Sequence, residues 1–348
     1  MTTYRIACIP GDGIGTEVVP AACEVLEAVG AAHDLEFRFT GFDWSCERFT
    51  REGAMMPPDG LDRLREHDAI LLGAVGYPGV PDHVSLWGLL IPIRRAFDQY
   101  VNLRPVRVFE GVPGPLRDAS GTDLVIVREN TEGEYSEVGG RMFSGTPDEF
   151  AVQESVFSRR GITRVVDYAL DLADERGRSL TSATKSNGLI HTMPFWDEIV
   201  EERCAERPSV SWESEHIDAL AAKLVLDSRK YDVIVASNLF GDILSDLAAG
   251  VAGSIGIAPS GNIDPERRNP SMFEPVHGSA PDIAGQGIAN PLGTVWAAAL
   301  MLDHLGHDDA ASDVIRAMER LLTDGPRTPD LGGGATTTEV TRALLDLL

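Results

Sequence analysis

Lysine is almost absent from the sequence. Among 30 basic residues only Lys185, Lys223 and Lys230 are lysines, and arginine supplies all the others. The 54 acidic residues outnumber the basic ones and give a formal net charge of −24 at pH 7. A surface of this charge repels nucleic acids and anionic membranes. We therefore predict no nucleic-acid partner and no membrane partner.

The excess of acidic residues is typical of a protein that works in concentrated salt, because dissolved ions screen the repulsion between like charges. We predict a halophilic protein whose melting temperature rises with KCl concentration. Thermal melts across a KCl series measure this effect. A melting temperature that is the same in dilute buffer and in concentrated KCl would contradict the prediction.

Cysteines and long apolar runs are also scarce. The four cysteines, Cys8, Cys23, Cys46 and Cys204, form neither a CxxC pair nor a zinc-like spacing. We therefore predict small buried side chains in a reducing compartment. No apolar run is long enough to span a bilayer, and the initial MTT passes directly into a strand-like YRIACI without room for a signal sequence. These absences predict a soluble, cytoplasmic protein.

The length and composition predict an α/β architecture. A chain of 348 residues with 43% hydrophobic residues can form two domains or one large α/β unit. Strand-like and helix-like stretches alternate along it. The first strand-like stretch leads into PGDGIG (10–15), whose glycines lack the G-x-G-x-x-G spacing of a dinucleotide-binding Rossmann fold. We therefore expect no Rossmann-type phosphate cradle in this loop.

Two aspartates stand four residues apart in the stretch SNLFGDILSD (237–246). An apolar, strand-like run precedes it, and its own apolar spacing indicates a helix. Asp242 and Asp246 would then project from one face, where two like charges destabilise a helix unless a cation lies between them. Mg²⁺ or Mn²⁺ fits this role, and a solvated acidic face is the alternative. The position after a buried strand favours the metal, because open α/β sheets bind ligands there.

Several arginines fall close together in the chain. Arg94, Arg95 and Arg104 lie within one stretch, and Arg128 follows the apolar run 123–127. A guanidinium group binds a carboxylate with two parallel hydrogen bonds. Arginines that converge on one cleft would therefore indicate a substrate with more than one carboxylate. For each arginine taken alone, a surface ion pair is the alternative.

Lys185 and Tyr135 are candidate proton-transfer groups. Lys185 follows a strand-like stretch, and its retention in an arginine-rich sequence indicates that its proton is used, because arginine releases none at neutral pH. A leftover surface lysine is the alternative. Tyr135 lies in a polar segment that reads as a hairpin arm, where it is a proton donor or an interface aromatic residue. Asp218, near the start of a predicted helix, is a third metal carboxylate or a helix cap.

Six stretches together identify a family. They are PGDGIG, the segment 94–104 ending in NLRP, RENTEGEY, TSATKSN, NLFGDILSD and HGSAPDIAGQGIANP. Along nearly the whole chain they resemble the metal-dependent β-decarboxylating dehydrogenases, the family of isopropylmalate and isocitrate dehydrogenases. GYPGVPDHVSLWGLL (76–90), followed by FDQYVNLRP, most resembles the tartrate and D-malate dehydrogenase branch.

The resemblance implies two interleaved α/β domains of the isopropylmalate dehydrogenase type rather than a Rossmann fold. Residues 1–100 and 254–348 would form the cofactor-binding domain. Residues 101–253 would form the central domain for dimerisation, metal and substrate, with a β arm at 130–158 in the dimer interface. The resemblance also implies a homodimer with shared active sites, in which Lys185 and Asp218 enter the partner's cleft.

The resemblance assigns roles to the candidate residues by position. Lys185 would take the hydroxyl proton as hydride leaves C2, and Tyr135 would protonate the enol formed by loss of CO₂. The substrate carboxylates would be held by Arg94, Arg104 and Arg128. Mn²⁺ or Mg²⁺ would be held by Asp242, Asp246 and the neighbour's Asp218. A requirement for K⁺ is left open.

The resemblance also implies NAD as the cofactor. HGSAPDI (277–283) would wrap the adenosine half, with Asp282 at the position that selects the cofactor. A carboxylate accepts hydrogen bonds from ribose hydroxyls and repels a 2′-phosphate, which favours NAD over NADP. The residues expected to contact the cofactor or frame its pocket are Glu274, His277, Gly278, Ser279, Ala280, Pro281, Asp282 and Asn290.

Trp87 and Leu90 belong to the segment that recognises the substrate's third substituent in this family. Trp87 would fill that space, and nothing near it pairs with a third carboxylate, which disfavours isocitrate. Small substrates, (R)-malate or tartrate, fit best, with 3-isopropylmalate of leucine biosynthesis as the alternative. A catalytically silent regulatory subunit and an anion-sensing binding protein are the alternatives without catalysis. The presence of all the candidate chemical residues favours the enzyme.

Overall fold

The computed structural model describes residues 1–116, 118–177 and 179–348. Its strands, in chain order, are β1 (Thr2–Gly11), β2 (Leu35–Gly41), β3 (Ala69–Ala74), β4 (Val101–Arg107), β5 (Asp123–Glu129), β6 (Gly139–Met142), β7 (Phe150–Gln153), β8 (Ser179–Thr184), β9 (Ser211–His216), β10 (Val233–Ala236), β11 (Pro259–Ile263) and β12 (Ser271–Pro275). Its α-helices are α1 (Gly15–Ala32), α2 (Cys46–Glu52), α3 (Gly60–Leu64), α4 (Asp82–Ser85), α5 (Ile91–Ala96), α6 (Arg159–Glu175), α7 (Thr192–Ala205), α8 (Ile217–Leu226), α9 (Asn238–Ala252), α10 (Leu292–His304), α11 (Asp308–Asp324) and α12 (Thr337–Leu345). None of the helices in these ranges is long and apolar enough to cross a membrane.

The chain divides into two compact units, each built from separate stretches. Unit 1 comprises Met1–Gln99, Arg107–Gly121 and Ala249–Leu348, and unit 2 comprises Tyr100–Val106 and Thr122–Ala248. The segment Arg107–Gly121 lies in unit 1, whereas the sequence analysis placed it in the central domain. Its side chains explain this, since Arg107 is 2.6 Å from Glu319 of α11 and the Phe109 ring lies 5.1 Å from that of Trp296 in α10. The roles of the two domains stay predictions.

Unit 1 is a largely parallel sheet covered by helices. β1 pairs in parallel with β2 and β3, β3 pairs in parallel with β12, and β12 is antiparallel to β11. α1 and α10 pack on these strands, and α11 and α12 pack against those helices. β3 is buried along its whole length. Its continuous apolar run AILLGA is typical of a parallel strand covered on both faces.

The PGDGIG loop uses its glycines to bring backbone segments together. Gly13 has a φ of +55°, and a Cβ there would lie 2.0 Å from the Ser279 carbonyl oxygen. The next amide, of Ile14, donates to the same carbonyl at 2.9 Å. Only glycine allows this approach without strain. The loop therefore anchors the segment around Ser279, a role different from the phosphate cradle of a Rossmann fold.

Unit 2 is built on the parallel neighbours β5, β10, β8 and β9. α6 packs against β5, β8 and β10, and α7 packs against α6. The carboxyl ends of neighbouring parallel strands lie on one edge of a sheet, which is where such folds bind ligands. Arg128 in β5, Lys185 after β8 and Asn238 after β10 all lie at these ends.

β6 and β7 form an antiparallel hairpin outside the main sheet. Five apolar side chains on or beside it are between 44% and 59% exposed: Val138, Met142, Phe143, Phe150 and Val152. A patch of exposed apolar side chains is typical of a contact surface. The hairpin lies within 130–158, where an arm is expected. Its place in a dimer interface stays a prediction.

Two strands were not expected from the sequence. β4, VNLRPVR, contains Pro105 and two arginines, and β12, SMFEP, contains Glu274 and ends in a proline. Such residues are uncommon within strands. β12 is nonetheless fully buried, because it lies between β3 and β11. The stretch 250–263 holds the end of α9, a 3₁₀ turn and β11.

The cysteines are free thiols. Cys8, Cys46 and Cys204 are buried and Cys23 is partly buried. Burial raises the pKa of the Cys204 thiol to about 11, and burial together with Asp12 raises the pKa of Cys46 to about 12. Thiols this weakly acidic carry little thiolate at neutral pH and are poor nucleophiles. Cys46 and Cys204 therefore fit the prediction of inert buried side chains.

His304 in α10 gives unit 1 a pH-dependent stability. Burial, with a smaller contribution from the positive charge of Arg267, lowers the pKa of His304 to about 4. The unfolded chain binds a proton as the pH falls below about 6.5, whereas the folded chain does not until about pH 4. We expect the free energy of unfolding to fall by up to about 3 kcal/mol across this interval. Denaturant unfolding of wild type and His304→Gln at pH 7 and 4.5 measures the effect, and an equal pH dependence in both proteins would contradict it.

Candidate active site

Two arginines and two aspartates form a cluster of ion pairs in unit 2. Arg104 Nη2 lies 3.3 Å from Asp242 Oδ1, and Arg104 Nη1 donates to Asp246 Oδ1 at 3.2 Å. Arg128 donates to Asp242 as well. Both aspartates lie on α9, so the expected one-turn spacing is present. In the single chain, the cation that separates these two carboxylates is an arginine.

Neutral side chains hold the two arginines in place. Arg104 donates from Nε to Asn102 at 2.7 Å and from Nη1 to Ser245 at 2.6 Å. Arg128 donates from Nε and Nη2 to Asn238 Oδ1 at 3.1 and 2.7 Å. Only 8% of Arg104 and 3% of Arg128 is exposed, and buried charges of this kind need such partners. Sequence reasoning missed Asn102 and Ser245, which show no pattern along the chain.

The charges around Asp246 favour a further cation. Partial burial raises the pKa of Asp246, the attraction of Arg104 lowers it, and the repulsion of Asp242 raises it again. The net shift is upward, so the ionised carboxylate is less stable here than in water. A divalent cation would reverse this effect, and carboxylate oxygens are the ligands that Mg²⁺ and Mn²⁺ prefer. The donor set therefore fits a hard divalent ion.

Tyr135 lies beside the same cluster. Its hydroxyl donates to Asp242 Oδ2 at 2.9 Å, and the Arg128 guanidinium lies 5.6 Å from its ring centre. The cluster therefore contains Arg104, Arg128, Asp242, Asp246 and Tyr135, each of which was predicted from the sequence. Its members come from β4, β5, the loop after β5, and α9.

Glu134 attaches the Tyr135 loop to the start of α9. Its two carboxylate oxygens accept hydrogen bonds from Ser237 Oγ at 2.8 Å and from the Leu239 amide at 3.0 Å. A negative charge is favourable at a helix N-terminus. Sequence reasoning missed Glu134. The available signal was that α9 has no acidic residue in its own first turn, which leaves room for a carboxylate from another segment.

Lys185 and Asp218 form a separate pair in unit 2. Lys185 follows β8 and Asp218 lies in the first turn of α8, and Lys185 Nζ donates to Asp218 Oδ1 at 2.6 Å. The hydrogen bond from Lys185 lowers the pKa of Asp218. Desolvation beside positive charge would favour proton release from Lys185. In the single chain it instead lies beside a carboxylate and is partly exposed, because the segment that carries Asp218 folds next to β8.

The pair and the cluster do not form one metal site within a single chain. No group of three or more His, Cys, Asp or Glu side chains that could hold a metal occurs among the residues described. Asp218 bonds to Lys185, whereas Asp242 and Asp246 bond to the arginines. No site with three aspartates therefore occurs among the described residues of one chain, and the shared active site stays a prediction.

Arg94 in unit 1 is buried in a polar network. Arg94 Nη2 donates to Glu274 Oε1 at 3.0 Å, and Asn262 Nδ2 donates to the same oxygen at 2.7 Å. The Nε atom of Arg94 is buried and finds no hydrogen-bond partner among the described residues. Glu274 was expected to contact the cofactor or frame its pocket. Here it fixes the guanidinium of Arg94.

Trp87 and Leu90 lie on a π-helical turn, Leu86–Leu90. The Arg95 guanidinium lies 5.1 Å from the Trp87 ring centre, a cation–π contact. Leu90 packs against the apolar cluster of unit 1 that includes Leu89 and Ile93. π-Helical turns are rare and often occur at functional sites. Both side chains are partly exposed, and their role in substrate selection stays a prediction.

The segment 277–282 carries two features that fit a nucleotide. His277 Nε2 is buried without a partner in the part of the chain that the structure describes, and burial lowers the pKa of this imidazole. His277 Nδ1 lies 3.0 Å from the Gly278 carbonyl oxygen, so it carries the hydrogen and Nε2 is an acceptor. Ala280 has a φ of +41°, a strained conformation that often marks a functional segment. Asp282 is exposed.

The other predicted cofactor residues lie on both sides of this segment. Gly278 has no atom within 4 Å of its Cβ position, so one side of the loop is open. Ser279 and Pro281 frame Ala280, and Ser279 is tied to the PGDGIG loop. Asn290 Nδ2 donates to Asp330 at 2.9 Å, which also accepts from Ser254. Asp330 was not identified from the sequence.

Comparison with known proteins identifies the family. The family described as isocitrate/isopropylmalate dehydrogenase matches residues 5–344. Tartrate dehydrogenase/decarboxylase of Pseudomonas putida is 54% identical over 357 residues, which cover 99% of this chain and 98% of that protein. D-malate dehydrogenase (decarboxylating) of Escherichia coli K12 is 53% identical over 358 residues, which cover 100% and 99% of the two proteins.

Solved structures show the same fold. The crystal structure of isocitrate dehydrogenase from Methylococcus capsulatus is 35% identical, with a TM-score of 0.90 over 99% of both chains. That of a β-decarboxylating dehydrogenase from Thermococcus kodakarensis, in its apo form, is 38% identical, with a TM-score of 0.80 over 99% of this chain and 96% of the other. The predicted α/β fold class and the predicted family are confirmed. The chain belongs to the isocitrate/isopropylmalate dehydrogenase family.

Proposed function

We propose that this protein oxidises and decarboxylates a small 2-hydroxy dicarboxylic acid, with (R)-malate, which would give pyruvate and CO₂, and tartrate as its substrates. The observation that carries the proposal is the cluster of Arg104, Arg128, Asp242 and Tyr135 on adjoining elements of unit 2. The names of the relatives from Pseudomonas putida and Escherichia coli, a tartrate enzyme and a D-malate enzyme, support it.

Arg104 and Arg128 are the proposed carboxylate-binding groups. Both are held in fixed positions by neutral side chains, and guanidinium groups bind carboxylates through parallel hydrogen bonds. Two arginines and a divalent cation carry four positive charges, and Asp242 and Asp246 carry two negative ones. About two positive charges remain for a dianionic substrate, whereas a neutral alcohol would leave them unbalanced. Arg94 is proposed as a further carboxylate-binding arginine.

Asp242 and Asp246, with the partner subunit's Asp218, are the proposed ligands of Mn²⁺ or Mg²⁺. The two carboxylates of α9 face the same side one turn apart, and oxygen ligands suit these ions. When bound, the ion would stabilise the negative charge that develops on the substrate as CO₂ leaves. A requirement for K⁺ stays open.

NAD is the proposed oxidant and would accept the hydride that leaves C2 of the substrate. The exposed carboxylate of Asp282 would accept hydrogen bonds from ribose hydroxyls and would repel a 2′-phosphate, which favours NAD over NADP. His277 Nε2 is a buried acceptor without a partner within the described residues, and such atoms are normally satisfied by a ligand or water. Both observations support a nucleotide beside 277–282.

Lys185 and Tyr135 are the proposed proton-transfer groups. Lys185, in its neutral form, would accept the proton of the substrate hydroxyl. Tyr135 would donate its hydroxyl proton to the enol carbon after CO₂ has left. The hydrogen bond from Tyr135 to Asp242 supports this role, because it fixes the direction of the hydroxyl before substrate arrives.

A homodimer is the proposed assembly, with the hairpin of β6 and β7 in the interface. The exposed apolar side chains on this hairpin would be buried by a second chain. The separation of the Lys185–Asp218 pair from the cluster on α9 also supports a dimer. The pair of one chain would then complete the site of the other.

A substrate panel tests the proposed function. With NAD and Mn²⁺, we expect kcat/KM to be highest for (R)-malate or tartrate, and lower by about 10²-fold or more for isocitrate, whose third carboxylate would lose its water without gaining a partner. Turnover of 3-isopropylmalate in the same assay tests the alternative substrate. A preference for isocitrate would overturn the pocket assignment, and turnover of none of the four acids would indicate a silent subunit.

A further inference from the structure

Every lysine of the chain is bonded to one short acidic segment, residues 213–218. Lys185 donates to Asp218, Lys223 donates to Glu215, and Lys230 donates to Glu215 and pairs with Glu213. Arginine supplies all the remaining basic residues of the sequence. The segment joins β9 to α8 and carries Asp218.

Glu215 is the centre of this arrangement. Its Oε1 accepts hydrogen bonds from Lys223 Nζ at 2.8 Å and Lys230 Nζ at 2.7 Å, and its Oε2 accepts from the Tyr231 hydroxyl at 3.1 Å. Only 7% of Glu215 is exposed. Burial alone would raise the pKa of this carboxylate, but the three hydrogen bonds outweigh burial and lower it. Glu215 is therefore a firmly held anion.

The geometry around Glu215 explains why positions 223 and 230 are lysines. Two Nζ atoms converge on a single carboxylate oxygen, while Tyr231 occupies the other oxygen. An ammonium group is a compact point charge and can share an acceptor in this way. A guanidinium group presents a planar fork that is suited to two acceptor oxygens at once. Arginine at position 223 would therefore not reproduce the contact.

α8 has little other attachment to its own chain. Leu220 and Leu224 are its only buried side chains, and all of its residues are described. Lys223 lies in the last turn of α8, Lys230 ends the 3₁₀ turn Ser228–Lys230 after it, and Tyr231 follows that turn. Glu215 therefore ties the end of α8, and the chain that follows, back to β9. The first turn of α8 carries Asp218.

We propose that Glu215 is a positioning residue, which, through Lys223, Lys230 and Tyr231, fixes the β9–α8 junction and so places Asp218 for metal binding. The proposal rests on the proposed function, because it requires Asp218 to be a metal ligand. Glu215 itself touches neither substrate nor metal. Its loss should therefore act on metal affinity through a change in the mobility of α8.

Glu215→Gln in the full-length enzyme tests the proposal. We expect the KM for Mn²⁺, and its dissociation constant measured directly by electron paramagnetic resonance, to rise by about 10-fold, with the KM for NAD unchanged. We also expect faster amide hydrogen exchange in residues 217–226. Asp167→Asn is the matched control, because Asp167 pairs with Arg203 at 2.7 Å elsewhere in the same unit. Asp167→Asn should leave Mn²⁺ binding and amide exchange in residues 217–226 unchanged.

Lys223→Arg is the second variant, since it keeps the charge and changes only the geometry. Like Glu215→Gln, Lys223→Arg should bind Mn²⁺ more weakly and show faster amide hydrogen exchange in residues 217–226. Wild-type values for Lys223→Arg would overturn the argument from geometry. Faster amide exchange in Glu215→Gln with unchanged Mn²⁺ affinity would show a purely structural role and overturn the proposal. Unchanged amide exchange in Glu215→Gln would overturn it as well.

Asp218→Asn separates a failure of this proposal from a failure of the proposed function. If Asp218→Asn binds Mn²⁺ as tightly as wild type, the proposed metal site is wrong. If Asp218→Asn weakens Mn²⁺ binding but Glu215→Gln does not, only the positioning role is wrong.

Discussion

Replacing Lys185 with methionine is expected to lower kcat by about 10³-fold, within the range typical for loss of a general base. Methionine has a similar length and cannot accept a proton, so the substrate hydroxyl would lose its proton acceptor. Binding of NAD and Mn²⁺ should change little, because Lys185 contacts neither in the proposed site. Steady-state kinetics with (R)-malate, and titrations of Mn²⁺ and NAD, measure the two effects.

Lys185→Arg is the matched control for this prediction. Arginine keeps the positive charge and could still pair with Asp218, but it does not release its proton at neutral pH. We therefore expect Lys185→Arg to be about as inactive as Lys185→Met. Turnover of the arginine variant within about 10-fold of wild type would show that charge, and not proton transfer, is what Lys185 supplies.

Replacing Asp242 with asparagine is expected to lower kcat/KM by about 10²-fold or more, because loss of a direct metal ligand should exceed the 10- to 100-fold effect of residues that only support ligands. Asparagine can still accept the hydrogen bond from Arg128 through Oδ1 and can donate from Nδ2 to the Tyr135 hydroxyl oxygen, the two groups that bond to Asp242 in the structure. The fold should therefore persist, with a melting temperature close to that of wild type. Raising Mn²⁺ should recover part of the activity, and recovery in the presence of excess chelator would contradict the assignment.

Mixing two inactive variants tests whether the active sites are shared. A heterodimer of Lys185→Met and Asp242→Asn would contain one site with both changes and one site with neither. We therefore expect activity to return after the two proteins are unfolded and refolded together. Lys185→Met mixed with Asp218→Asn is the control, because every shared site would then carry one defect. Equal recovery in both mixtures, or recovery in neither, would count against a shared site.

Several candidate site residues lie where the sequence placed them, at the ends of recognisable elements. Arg128 ends an apolar strand, Lys185 follows another, and Asp242 follows a third, and these strands, β5, β8 and β10, are parallel neighbours. The helix spacing of Asp242 and Asp246 also follows directly from the sequence. Local periodicity is sufficient for such predictions, because it fixes which face of an element a side chain occupies.

The contacts that hold the site in place could not be predicted in this way. Arg104 bonds to Asp246, which is 142 positions away in the sequence, and Glu134 caps a helix that starts more than a hundred residues later. Nothing local in the chain marks either pairing. The buried strand β12 was missed for a related reason, since its burial comes from its neighbours β3 and β11 and not from its own composition.

By itself the sequence determined the charge of the protein, its α/β class, its family and the side chains that are candidates for the chemistry. These properties depend on residue type and local spacing. Only the tertiary structure determined which charged side chains form ion pairs with one another. In the folded chain Asp242 and Asp246 pair with Arg104, and Asp218 pairs with Lys185. Glu215 pairs with two lysines. Ion pairs depend on distances between atoms in space, and those distances exist only once strands far apart in the chain have become neighbours.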